Sequence, residues 1–403
     1  MLSFIEKKDC TGCTACANAC PVSCISMLAD ENGFEYPQIT GDCIKCGKCE
    51  RICPSKKGVL LSEKSLKQTA YAVVSMSLDT WVKSSSGGAF TEICKAVGDD
   101  DAVIFGAAFD GLRVIHKYVI GVDNIDELRK SKYVASSLSD TFKVTENYLK
   151  RGKKVIWCAT PCQIAGLRNF LGQNYDNLLC IDFICHGVGS PKVFSDFLNF
   201  LSKKYGSPIK KYTFRNKRIV DRAVIRYTSK YEFESKKEVF VTMDEYNQLF
   251  ISQLCLRECC EGNCLYQNPV RMGDITIADF NSKHKVIPQK RWDYRNYSSV
   301  VINTDKGLKT FNAMKDNVEY FPCDLSQIEE YNPLFCKKAP GNPDSKKFFN
   351  DFADNGLDYV LKKYTVPHKQ HRLRLLTNRL SLKHYFIETE KIFYNTLKKL
   401  IKL

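Results

Sequence analysis

CTGCTACANACP, from Cys10 to Pro21, and CIKCGKCERICP, from Cys43 to Pro54, decide how the rest of the chain is read. Each run is C-x2-C-x2-C-x3-C-P, and the chain shows no other internal repeat. Three thiolates two residues apart wrap one side of an iron–sulfur cubane, while a fourth cysteine, stiffened by the following proline, reaches across to the neighbouring cubane. The spacing therefore predicts two [4Fe–4S] clusters with crossed ligation. Cys10, Cys13, Cys16 and Cys53 fall to one, and Cys43, Cys46, Cys49 and Cys20 to the other. Gly12 and Gly47 suit a chain that folds tightly over inorganic sulfide with free backbone N–H groups. A zinc site would show separated C-x2-C pairs rather than complete four-cysteine runs each closed by Cys-Pro. Cys24 has no slot in either set and reads as a small buried apolar residue.

The chain of 403 residues has room for two or three domains, and 20 of its residues are cysteine. The start, MLSFIEKKDC, enters the first cysteine run at once, so no leader is expected, and no apolar run approaches the roughly 18 residues a membrane span needs. Abundant thiols without a leader predict a reducing, cytoplasmic setting and metal ligation rather than disulfides. The net charge of +15 is concentrated toward the C-terminus, where residues 369–403 carry nine Lys or Arg against two Glu, interleaved with Leu, Ile, Phe and Tyr. A solvated basic helix is the plain expectation there, and a peripheral membrane or acidic-partner contact the sharper one. No nucleic-acid-binding motif accompanies the charge, so nucleic acid is set aside as a partner.

After Pro54 a Lys/Ser-rich stretch, Ser55 to Gln68, reads as a linker. Beyond it the periodicity predicts strands over Ala70–Leu78, Ala102–Phe109, Val114–Ile120, Lys154–Ala159, Leu178–Ile184, Asp274–Phe280 and Ser299–Asn303. Helices are predicted over Ala89–Val97, Asp126–Lys130, Thr141–Arg151, Gln163–Leu171, Pro191–Tyr205 and Asp244–Leu256, with Asp110-Gly111 as a hairpin turn. Ile209 to Val241 is β-rich, and the last third is otherwise mainly helical. Strand and helix alternating through the middle imply a mixed-sheet α/β body, so the fold class is α+β with an α/β core.

Two constellations lie in this body. SSSGG at Ser84–Gly88 stands between a strand and a helix, where hydroxyls and N–H groups suit a nucleotide pyrophosphate; it is not the dinucleotide-binding G-x-G-x-x-G. Cys158 and Cys162 close one strand and Cys185-His186-Gly187 closes the next. With Cys259 or Cys260, plus Cys264, four thiolates can converge on a third cluster. Cys94 and Cys180 read as buried apolar residues, and His186 as a structural hydrogen-bonder, because neighbours on a strand point to opposite faces.

SSSGGAF at Ser84–Phe90, KYVAS at Lys132–Ser136, ATPCQIAGL at Ala159–Leu167, DFICHGV at Asp182–Val188 and MGDITIADF at Met272–Phe280 follow one another in that order. Together they resemble the coenzyme F420 hydrogenase/dehydrogenase beta-subunit family, here joined to an N-terminal two-cluster ferredoxin-like domain. The resemblance implies three regions: a ferredoxin-like domain over 1–60, an FAD-binding body over 61–345, and a basic helical extension over 346–403. It also implies an FAD site lined by Ser85, Ser86, Gly87, Gly88, Lys132, Tyr133 and Ser136, with Lys132 set against the pyrophosphate or the ring. The third cluster would be held by Cys162, Cys185, Cys260 and Cys264, with Cys259 as substitute for Cys260. The chain departs from the family's C-x2-C by reading Cys259-Cys260-Glu261-Gly262-Asn263-Cys264, and Asn281-Ser282 stands where an aromatic often follows.

A cubane moves one electron and a hydride two, so a flavin belongs between them. The resemblance thus implies an oxidoreductase passing electrons between a small hydride carrier, coenzyme F420 being the candidate, and a ferredoxin or other redox protein. The catalytic residues are not assigned, and homo-oligomerisation stays open. The alternatives are a non-catalytic relay within a larger redox complex, or a ferredoxin-driven reductase in a biosynthetic pathway such as polysaccharide synthesis.

Overall fold

The computed structural model describes residues 1–58, 67–220, 223–291 and 293–366. The N-terminal unit contributes one hairpin, β1 (Ile25–Ala29) and β2 (Glu35–Ile39). The body opens with β3 (Thr69–Ser75), β4 (Val103–Asp110), β5 (Arg113–Ile120), β6 (Val155–Ala159) and β7 (Leu178–Phe183). A separate meander follows, β8 (Ile209–Val220), β9 (Ala223–Phe233) and β10 (Glu238–Thr242). The chain then returns to the main sheet with β11 (Ile275–Phe280), β12 (Tyr297–Ile302) and β13 (Val318–Cys323). Across that eight-stranded sheet the order is β13-β3-β12-β11-β7-β6-β4-β5. The centre is parallel, through β11, β7, β6 and β4, and every pairing outward from it is antiparallel.

Period-two alternation sorts the core. Val103, Phe105, Val155, Trp157, Leu178 and Cys180 face the helices Thr141–Lys150 and Pro161–Leu171. Ile104, Ile156, Leu179 and Ile181 face the helices Ala89–Val97 and Asp305–Met314 on the other side. Each such side chain, fully buried, contributes about 1.5–3 kcal/mol. Covered on both faces, the parallel strands read as continuous apolar runs. Their carboxyl ends are where such sheets place ligands. At the end of β6 a capping box between Thr160 and Gln163, with Pro161 in the first turn, starts the helix Pro161–Leu171, which Gly172 ends in a left-handed conformation.

Most predicted elements form, and the differences have local causes. Leu78–Val82, expected as strand end and turn, is a short helix capped by the Ser77 hydroxyl, which accepts from Thr80 N–H. The helix Glu245–Ile251 stops short of Leu256 because Gln253 takes a positive φ of 63° and Leu256 bridges to Gly189. β13 lies in the stretch expected to be helical; it is an edge strand, which tolerates Pro322. Pro54–Lys57, at the head of the expected linker, is one helical turn, and residues 59–66 lie outside the described residues. The helical segment Ser345–Tyr364, broken at Gly356 with φ of 74°, packs Phe348, Phe352 and Val360 into the same core as Phe194 and Phe197 of Pro191–Tyr205, so residues up to Tyr364 pack with the body rather than in an extension beginning at 346. The basic stretch 369–403 lies outside the described residues. Among the described residues no helix is long and apolar enough to cross a membrane.

Candidate metal centres

The two cysteine runs fold as a repeat. Gly12 and Thr14 have φ of 68° and 63°, and the matching Lys45 and Gly47 have 54° and 69°. Cys20 and Cys53, the fourth cysteines, share φ of −65° with ψ of 116° and 114°. Left-handed turns at these positions swing the intervening peptides over, as a chain wrapped on a cubane requires.

Cys10, Cys13, Cys16 and Cys53 line one small cavity, about 20 Å³, closed by Leu2, Ile5, Met27 and Pro37. Cys53, from the second run, lines the same cavity as three thiols of the first. In the other set Cys20 is buried, Cys49 half-buried, and Cys43 and Cys46 exposed. Cys24 supports that set from behind: its Sγ is 3.5 Å from Cys20 Sγ, its N–H donates to the same sulfur at 3.4 Å, and its thiol also meets Cys43. It is 3% exposed, the buried residue expected.

The third set forms at the carboxyl ends of β6 and β7. Cys162, Cys185, Cys260 and Cys264, together with Cys259, line a cavity of about 230 Å³. Burial pushes the Cys162 and Cys185 thiols up, and each is raised further by Cys260 and Cys264. Four thiols confined this closely ionise together only when a shared cation takes their charge, which is the chemistry of cluster ligation. The residues present therefore fit a cubane. Gly187 explains itself here, since a Cβ would stand 3.1 Å from Cys260 Cβ. Cys158, the alternative to Cys162, sits on the opposite face of the sheet, packed toward the helix Ala89–Val97. Cys94 and Cys180 are fully buried, and His186 Nε2 hydrogen-bonds the Phe250 carbonyl oxygen at 3.2 Å, a structural contact. Among the described residues no group of three or more Cys, His, Asp or Glu closes to single-ion distance; the thiols ring volumes instead.

The third set abuts the first. A Cβ at Gly166 would meet Cys13 Sγ at 2.9 Å, and Cys13 lies near Cys162. Arg257, which no sequence pattern marked, clasps this junction. Its Nε donates to the Cys10 carbonyl at 2.8 Å and its Nη2 to the Glu35 carbonyl at 2.9 Å. The guanidinium lies 4.1 Å from the Tyr36 ring centroid and leaves no room for a side chain at Gly12. Asn169 Nδ2 donates to the carbonyls of Ile52 and Gly58, and Asn18 Nδ2 to that of Ser139.

The expected flavin residues divide. Ser136 lines the large cavity, and its Oγ is shared by His116 Nδ1 at 2.8 Å and Gln163 Nε2 at 3.1 Å. Burial brings His116 down to about 4, so it is neutral at pH 7. Ser85, Ser86, Gly87, Gly88, Lys132 and Tyr133 do not line that cavity. Ser85 Oγ accepts from Ser131 N–H at 2.9 Å, Ser86 Oγ donates to the Tyr297 carbonyl, and Gly87 N–H donates to Ser298 Oγ. A Cβ at Gly87 would collide with the Val73 carbonyl, so this glycine permits close strand packing. Lys132 Nζ donates to the carbonyls of Glu127 and Arg129, and the Tyr133 ring stacks on Phe250 at 4.7 Å. The acidic residues of the later motifs are buried ties: Asp182 accepts from Met272 and Gly273 N–H, and Asp274 from Cys180 N–H.

This arrangement, with cysteine sets in contact along one path, defines an iron–sulfur electron-transfer protein. Residues 152–325 match the family model for the C terminus of the coenzyme F420 hydrogenase/dehydrogenase beta subunit, and residues 9–57 match the 4Fe-4S dicluster domain. Residues 152–325 thus carry the C-terminal domain of that beta-subunit family, behind an N-terminal dicluster domain. An uncharacterized protein in the rpl9-rpl11 intergenic region of Porphyra purpurea is 36% identical over 66 residues, 16% of this chain and 88% of that protein. A chain of the xenon-derivatised F420-reducing [NiFe] hydrogenase complex from Methanosarcina barkeri is similar at 14% identity and a TM-score of 0.38, over 75% of this chain and 94% of that one.

Proposed function

We propose that the chain is an iron–sulfur flavoprotein oxidoreductase, passing electrons between a two-electron hydride carrier, with coenzyme F420 the candidate, and a ferredoxin-like protein. The reading rests on one observation: Cys162, Cys185, Cys260 and Cys264 converge from three separate parts of the body on a cavity adjoining Cys13 of the dicluster domain. Cys260 is the favoured fourth ligand because it lies near both Cys162 and Cys185, whereas Cys259, also near Cys162, lies beside Arg257 and Tyr36 as well. FAD, when bound, takes up two electrons with a hydride and releases them singly.

The cavity runs past the thiols between the dicluster domain and the body. Leu112, Val114, Val134 and Phe194 give it apolar walls, and Ser136, Gln163, Arg113 and Glu35 give it polar edges. A mainly apolar slot with a few convergent polar groups suits a planar ring. Ser136 and Gln163 would hold the ring's polar edge, and the neutral His116 behind Ser136 fixes that hydroxyl. Ser85, Lys132 and Tyr133 serve this site indirectly. They anchor the segment whose far end is Ser136, through Ser85 to Ser131 and through the Tyr133 carbonyl to Tyr246 Oη. Gly87 and Gly88 then belong to the scaffold as well.

Anaerobically purified protein is expected to hold about twelve iron atoms and one FAD per chain. Cys185→Ser is expected to remove about four of those irons and leave the rest. Wild-type protein with about eight irons defeats the third site, and protein without flavin defeats the flavoprotein reading.

A further inference from the structure

The repeat within the dicluster domain maps a used surface onto an open one. In the first half Gly12 packs on Arg257, Ala15 is fully buried beside the helix Pro161–Leu171, and Asn18 bonds the Ser139 carbonyl. These residues are how the first half meets the body. The matching positions of the second half are Lys45, Lys48 and Arg51, all exposed. Lys45 holds a left-handed φ of 54° where its counterpart is glycine. A lysine there costs about 1 kcal/mol against glycine's freedom and places a charge at the tip of the turn.

We propose that this face, centred on Lys45, Lys48 and Arg51 beside the exposed thiols of Cys43 and Cys46, docks an acidic one-electron carrier protein. Residues 42–57 carry five cations and two carboxylates. Among the described residues Lys45 and Lys48 enter no ion pair, whereas lysines elsewhere on the surface pair off, Lys117 with Glu127, Lys153 with Asp101 and Lys285 with Glu330. Exposed apolar surface lies in the same loop, where Ile44, next to Lys45, is 60% exposed. Exposed apolar surface beside unpaired cations is complementary to an acidic protein, and the charges steer its approach. The inference rests on the dicluster part of the proposed function and not on FAD or the third cluster.

The test is a titration of the full-length anaerobic protein with an acidic plant-type [2Fe–2S] ferredoxin and, separately, an acidic flavodoxin, at low and high ionic strength. Binding of at least one carrier is expected to weaken with salt, and Lys45→Glu/Lys48→Glu/Arg51→Glu to weaken it at least about tenfold at unchanged iron content. Salt-insensitive binding, or affinity for both carriers unchanged in the triple variant, overturns the proposal. Should the triple variant lose iron, Ile44→Gln decides: weaker binding of the carrier supports the surface, and unchanged affinity overturns it. Wild-type protein lacking flavin or the third cluster's iron would defeat the proposed function while leaving this titration, which reads only the outer face, fully interpretable.

Discussion

Thr11–Asn18 and Ile44–Arg51 trace the same turn into the same short helix, with left-handed residues at matching places. The first lies beneath the body with Ala15 and Asn18 at 0% and 5% exposure; the second is open to solvent, with Cys43 and Cys46 on the surface. Ligand spacing dictates the backbone, because three thiolates on one cubane tolerate little else. The residues between the ligands are free of that demand, and they decide what each half touches. Small or amide side chains let the inner half seat against protein; Lys45, Lys48 and Arg51 keep the outer half in water.

The comparison breaks most visibly at its two arginines. Arg257 is buried at the inner half with two carbonyl acceptors, and Arg257→Ala strands both and removes the contact with Tyr36. A loss of about 3 kcal/mol is expected in denaturant unfolding of the anaerobic protein. Arg51→Ala, whose one bond to the Cys46 carbonyl is exposed, should change stability by less than about 1 kcal/mol. Equal effects would mean the halves are not held differently.

Gly12 and Lys45 give the next contrast. Gly12→Ala places a left-handed alanine against the Arg257 guanidinium at 2.9 Å, and about 2 kcal/mol should be lost. Lys45→Gly relieves strain of about 1 kcal/mol but adds chain freedom to the unfolded state, so it should fall within about 0.5 kcal/mol of wild type. Thermal midpoints of the four proteins, wild type included with Arg257→Ala as reference, test the ordering.

A last contrast separates a buried cation from an exposed one by pH. Burial, partly opposed by nearby Cys158, brings Lys132 down to about 7, whereas in the unfolded chain it titrates near about 10.4. The unfolded state then holds more protons between those limits. Stability should therefore rise with pH from about 7 to about 10, and this contribution is lost as pH falls through 7. Lys132→Met should flatten the slope of thermal midpoint between about pH 7 and 9, and Lys48→Met should leave it alone; equal slopes in all three proteins would remove Lys132 as its source.

The cysteine runs were legible because their chemistry is local: spacing alone grouped Cys53 with Cys10, Cys13 and Cys16, the four thiols that line one cavity. The parallel core was legible for a similar reason, since β6 and β7 are short apolar runs bounded by turn signals. SSSGG reads two ways because serine and glycine suit phosphate and tight strand packing equally, and the packing role shows only through the acceptors at Tyr297 and Ser298, far along the chain. Arg257 was invisible for the same cause. Its partners are Cys10 and Glu35, and no periodicity links them. β13 was hidden by its proline and its edge position.

The hydrogen bond from Arg257 to Cys10 spans 247 positions of sequence. At ribosomal speeds of about 5–20 residues per second, roughly 12–50 seconds separate the emergence of the two ends. Until the later residue arrives, the carbonyls of Cys10 and Glu35 lack their guanidinium donor. The inner cysteine loop is thus the part of the dicluster domain whose final contacts wait longest on synthesis.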